Sequence, residues 1–223
     1  MRPRGLHHGV LALATSALAS VAAAGVTTFS GEYNPAPWLA AAGPNVTTVT
    51  FNGLADGTVI TNQFMDLGVD FAQAGTVTSS PELGSFVATP TGPNWTWTGP
   101  QPTDGMRGSF AAPQRAIAFN MFSVSQGNVV ITLYSGGQTI WSGTVGPCYS
   151  ESIDFPWGFV GLVSDQAFDG VWITAAPFQP DWPTSVPATA LYIKDLSFSP
   201  VPTPGALPAL VLAAFARGSR RRA

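Results

Sequence analysis

Between residues 25 and 202 no stretch keeps the period of an amphipathic helix for more than a turn or two. The one candidate is Trp38-Leu39-Ala40-Ala41-Ala42, stopped by Gly43. Elsewhere short apolar runs alternate with turn residues, and Gly 24 and Pro 20 supply the punctuation. Residues 46–51 alternate, so that Val49 and Phe51 share an inward face at period two. Asn52-Gly53 and Asp56-Gly57 then break the chain. Further strands are expected over residues 69–72, 84–88, 116–124, 129–134, 139–145, 159–164, 171–175 and 190–199. Ser135-Gly136-Gly137-Gln138, between two apolar runs, reads as the clearest hairpin. Nine short runs without a recurring long period predict an all-β fold, a single β-sandwich of the jelly-roll type.

Charge narrows the function. Charged residues are only 9% of the chain, and six of the nine basic ones lie outside residues 25–202. That interval keeps Arg107, Arg115 and Lys194 against all twelve acids, a formal charge of −9. Such a body repels nucleic acid and anionic membrane surfaces, so no nucleic-acid partner is expected.

The ends read as addresses. Residues 1–24 run from Arg2 and Arg4 through an apolar segment to Ala22-Ala23-Ala24, the order of a secretory signal peptide, with cleavage expected between Ala24 and Gly25. The body is taken as residues 25–200 and the tail as residues 201–223. The tail holds Val201-Pro202-Thr203-Pro204-Gly205, a short apolar run from Ala206 to Ala216, and a basic close with Arg217, Arg220, Arg221 and Arg222. Eleven apolar residues make about 16 Å of helix, short for a lasting anchor, so a transient membrane association is expected.

This tripartite tail resembles the PEP-CTERM sorting signal of exported proteins in exopolysaccharide-producing Gram-negative bacteria. Thr203 stands where that family usually has Glu, and Pro208 interrupts the apolar run. The resemblance implies processing by an exosortase-type membrane protease and a place at the cell surface, envelope or extracellular matrix. The middle of the chain is similar to a β-sandwich domain common among proteins with that tail. The likeness is carried by Val49-Thr50-Phe51-Asn52-Gly53-Leu54, by Leu67-Gly68-Val69-Asp70-Phe71, by Phe159 through Asp165, and by Leu191 through Phe198. It implies a jelly-roll fold and an extracellular role, without one shared activity.

Removing the leader removes His7 and His8, the only histidines, and with them Ser-His-Asp and Cys-His catalysis and histidine-bearing zinc or iron sites. Cys148 is alone, so neither an internal disulfide nor a cysteine cluster can form. Carboxylates could still serve a glycosidase, which needs two held about 5–10 Å apart, but no signature pair occurs. Calcium suits an acidic, oxygen-rich surface, and Glu32, Asp56, Asp66 and Asp195 are its candidate ligands for a structural site. Trp95 and Trp97, two apart between Pro93 and Pro100, would face the same side of an extended segment, where paired indoles could stack on sugars or cap the core. The leading expectation is therefore a non-enzymatic exported envelope or matrix protein. The alternative is a carbohydrate-binding module with Trp95 and Trp97 as its platform and an extracellular polysaccharide as partner, and the third is a carboxylate glycosidase.

Overall fold

The computed structural model describes residues 24–32, 34–80, 84–89, 105–123, 129–146, 158–175 and 191–201. The expected signal helix, the short C-terminal apolar helix and most of the sorting tail lie outside the described residues. In chain order the elements are β1 (Val26–Glu32), α1 (Ala36–Ala42), β2 (Thr47–Val49), β3 (Val59–Ile60), a 3-10 turn (Met65–Leu67), β4 (Val69–Gln73), β5 (Gly75–Ser80) and β6 (Gly84–Ala88). They continue with β7 (Met106–Ser123), β8 (Val129–Ser135), β9 (Gln138–Val145), β10 (Gly158–Ala175) and β11 (Leu191–Pro200). All strand pairings are antiparallel. The all-β sandwich expected from the sequence is the fold observed.

Two strands of 18 residues, β7 and β10, organise it. The second half of β7 and the first half of β10 pair with each other in a first sheet, flanked by β1 on one side and β11 on the other. Beyond β11 come β2 and β6, then β5 and β3. The first half of β7 and the second half of β10 pair again in a second sheet of order β4-β7-β10-β8-β9. Register shifts between Val163 and Phe168, and between Phe168 and Gly170, mark where β10 turns from one layer into the other. β7 makes the same passage near Pro113, a position a strand interior would not tolerate without such an irregularity.

Bulges at that corner explain two departures from expectation. Residues 159–164 and 171–175 are halves of one strand, because Asp169-Gly170 forms part of an irregularity and not a chain reversal. The run expected at 116–124 begins ten residues earlier, at Met106. Strands β1, β3 and β5 were not expected. The β8–β9 hairpin does turn at Gly136-Gly137, both with positive φ as the favoured two-residue turn requires, and Asp169 Oδ2 accepts a hydrogen bond from the Gly136 N–H at 2.9 Å.

The core lies between the layers. Ile117, Phe119 and Met121 of β7, Val160 and Leu162 of β10, and Ile193, Leu196 and Phe198 of β11 face Val171 and Ile173 of β10 and Ile131 and Leu133 of β8. Phe110 and Phe198 meet across the layers with ring centroids 5.0 Å apart. Val49 and Phe51 are buried there, as their alternation predicts. Burial of this kind contributes about 25 cal/mol for each Å² of apolar surface removed from water, and alternation is what leaves the other side of each strand free for different work.

Candidate functional site

The outer faces of the two sheets differ in what the sequence puts on them. On the first sheet, β7 offers Ala116 and Ala118 and β10 offers Gly161, so the surface is low enough for a helix to lie down on it. Helix α1 does so. Asn34 Oδ1 accepts the Ala36 N–H at 3.2 Å at its start, and Gly43, at φ 86°, returns its N–H to the Leu39 carbonyl at its end. Its Trp38 is 1% exposed and packs on Ala116, Ala118 and Phe159. The indole Nε1 donates to the Leu162 carbonyl at 3.1 Å. A Cβ on Gly161 would stand 2.5 Å from Trp38 Cδ1, so the ring sits where any other residue would put its side chain. Ser199 fastens the other end, donating to the Ala42 carbonyl at 2.9 Å.

Farther along that face, β11 carries a bulge between Lys194 and Ser197, and Asp195 takes a positive φ of 54°. Asn120 Nδ2 donates to Asp195 Oδ2 at 3.3 Å, and Asn120 Oδ1 is buried without a hydrogen-bond partner.

The second sheet has a different outer face. One cross-strand row reads Arg107 on β7, Trp172 on β10, Thr132 on β8 and Ser142 on β9. The row beside it reads Asp70, Ser109, Gly170, Tyr134 and Thr139. Trp172 and Tyr134 are thus diagonal neighbours, within reach of one ligand on strands about 4.8 Å apart. Both are half-buried, as is Arg107, while Asp70, Ser109, Thr139, Ser142 and Thr144 are exposed and Thr132 and Thr174 are buried. The Arg107 guanidinium carbon stands 4.3 Å from the centre of the Trp172 ring, a cation–π contact. Arg107 Nε is buried with no hydrogen-bond partner, and among the described residues the guanidinium has no acidic partner. Thr132 Oγ1 and Ser142 Oγ are hydrogen-bonded at 2.9 Å, which fixes the hydroxyls at the far end of the row. An aromatic pair, a cation and a hydroxyl row can hold a ligand that has apolar ring faces and polar edges.

Residues singled out from the sequence fall elsewhere. Trp95, Trp97 and Cys148 lie outside the described residues, as do Pro202, Thr203, Pro204, Gly205, Arg220, Arg221 and Arg222. The four acids proposed for calcium do not converge among the described residues, where no three acidic, cysteine or histidine side chains are grouped as a metal ion would need. Asp56 is exposed in the turn before β3 and Asp66 in the 3-10 turn, Asp195 is half-buried in the β11 bulge, and Glu32 ends β1. Turns and a strand end far apart in sequence scatter them.

At the other expected site, Ala24 packs into the core at 7% exposure and its N–H reaches the Ile140 carbonyl at 3.3 Å. Gly25 is exposed and donates its N–H to Asp165 Oδ1 at 2.8 Å. Cleavage between them would remove a core side chain and leave the new ammonium group beside the Asp165 carboxylate. Among the described residues no helix is long and apolar enough to cross a membrane.

A depression of about 560 Å³ opens between β1 and the start of α1, lined by Thr28, Phe29, Ser30, Asn34, Pro37 and Phe159 among others. Its lining among the described residues holds no ionisable side chain.

No protein-family model matches the sequence, and no curated protein matches it. Solved structures are matched by architecture. One is a mutant of a carbohydrate-binding module of family 29, with a TM-score of 0.39 and 17% identity over 69% of this chain and 91% of that one. A second is a mutant module of the same family complexed with cellulohexaose, at 0.39 and 16% identity over 69% and 91%. A third, described as complexed with mannohexaose, gives 0.38 and 16% over 70% and 92%.

Trp172, Tyr134 and Arg107 were not picked out from the sequence. Trp172 was within reach of the alternation rule: Val171 and Ile173 face inward, so the residue between them must face out.

Proposed function

We propose that this chain is a non-catalytic, exported polysaccharide-binding protein of the cell envelope, and that it binds through the outer face of its second sheet. The observation that carries the reading is the Trp172–Tyr134 pair, held on a sheet face beside Arg107 and bordered by exposed hydroxyls. Sugar rings have apolar faces and hydroxyl edges, and such a surface matches both. The leader-like residues 1–24 and the sorting tail of residues 201–223 support export and delivery to the surface, with an exosortase-type protease as the processing partner. Absence of histidine from residues 25–202 supports a binding role over nucleophilic catalysis.

Native gels cast with soluble polysaccharides test it. The wild-type protein is expected to be retarded by at least one of them, and Trp172→Ala to run freely. Base–aromatic stacking elsewhere is worth about 1–3 kcal/mol per ring, and a comparable stacking loss would weaken binding roughly tenfold or more. Retardation that survives Trp172→Ala but is lost in Trp95→Ala or Trp97→Ala would move the platform to the loop instead.

A further inference from the structure

We propose that the ligand of this face is an acidic polysaccharide, one whose sugars carry carboxylates, and that Arg107 is the residue that reads the carboxylate. The proposal rests on the second-sheet binding face argued above and adds its ligand class. Arg107 is one of only three basic residues between 25 and 202, and Arg115 and Lys194 belong to the other sheet. Arg115 is turned to the Ala41 carbonyl at the end of α1, and Lys194 stands by Gly84 and Asn52. Among the described residues this face therefore carries a single cation.

How that cation is held decides what it can do. The guanidinium carbon stands 4.3 Å from the centre of the Trp172 ring, a contact made by its charge, and its Nε–H is left without a hydrogen-bond partner. Among the described residues no carboxylate pairs with this guanidinium. The nearest acid by register, Asp70, stands exposed opposite Ser109 in the adjacent row, and Asp169 accepts the Gly136 N–H at 2.9 Å. A ligand carboxylate can take two parallel N–H bonds from Arg107 while its sugar ring lies along the aromatic pair. Without Arg107 the rest of residues 25–202 carries −10, so Arg107 is the point on this face where a ligand carboxylate meets an attractive charge.

Titration calorimetry of the full protein with an oligomer of galacturonic acid and with its methyl ester separates charge from shape. Wild type is expected to bind the acid at least tenfold more tightly than the ester. Arg107→Gln is expected to weaken acid binding at least tenfold and ester binding less, so that the preference is lost, and Arg107→Lys, which keeps the charge without the fork, to retain only part of it. Trp172→Ala is expected to weaken both. Circular dichroism checks that each variant is folded, and the lysine variant serves if the glutamine one is not. Equal binding of acid and ester by wild type, or an unchanged preference in Arg107→Gln, overturns the ligand class and leaves the binding face standing. Failure of acid, ester and neutral cello-oligomers alike overturns the binding face itself.

Discussion

Trp38 and Trp172 lie on opposite outer faces of one sandwich and are treated in opposite ways. The first sheet presents Ala116, Ala118 and Gly161, and α1 lays Trp38 flat into that recess with its N–H on the Leu162 carbonyl. The second sheet presents Arg107, Thr132 and Tyr134 around Trp172, which stays half-buried against a guanidinium. A small-residue floor converts an aromatic ring into core. A floor of polar and aromatic residues leaves the ring as surface, with a charge at its side. One tryptophan thus contributes to stability, and the other is the one we propose for recognition.

Substitutions can break that contrast. The largest effect is expected from Trp38→Ala, about 3–5 kcal/mol, because a fully buried indole and its hydrogen bond are lost together. That corresponds to a melting temperature lower by roughly 10 °C in thermal scans. Gly161→Ala comes next at about 1–3 kcal/mol in urea titrations, since its methyl would meet Trp38 Cδ1 at 2.5 Å and the ring must move. Smallest is Trp172→Ala, about 1 kcal/mol or less in the same titrations, from the loss of a partly exposed cation–π contact. Equal destabilisation at Trp38 and Trp172 would mean that both rings are structural, and the division between the faces would fall.

Much of this fold was legible in the sequence, for a physical reason. Alternation at period two is local, so Val49, Phe51 and the strands over 129–134 and 139–145 declared themselves, as did the Gly136-Gly137 turn. The helix ended by Gly43 was visible for the same reason. What stayed hidden depends on contacts distant in sequence. The passage of β7 and β10 between layers needs bulges at Pro113 and at Asp169-Gly170, and a proline or an Asp-Gly pair reads locally as a turn. The proposed binding face was hidden likewise. Trp172 looked like one more residue of a core strand, and Arg107 lay outside every expected strand. Only the pairing of Arg107 with Trp172 in the second sheet brings them together. The acids considered for calcium show the converse, since composition made them conspicuous while topology keeps Asp56, Asp66 and Asp195 in separate bends.

The most direct test of the central claim is to follow the tryptophan indole N–H signals by nuclear magnetic resonance while a bound oligosaccharide is titrated in. Each of the seven indoles gives its own signal, assigned by single Trp→Phe substitutions. The account predicts that the Trp172 signal shifts in proportion to occupancy and that the Trp38 signal, sealed beneath α1 against Gly161, stays where it is. Saturable binding that leaves the Trp172 signal unmoved would contradict it.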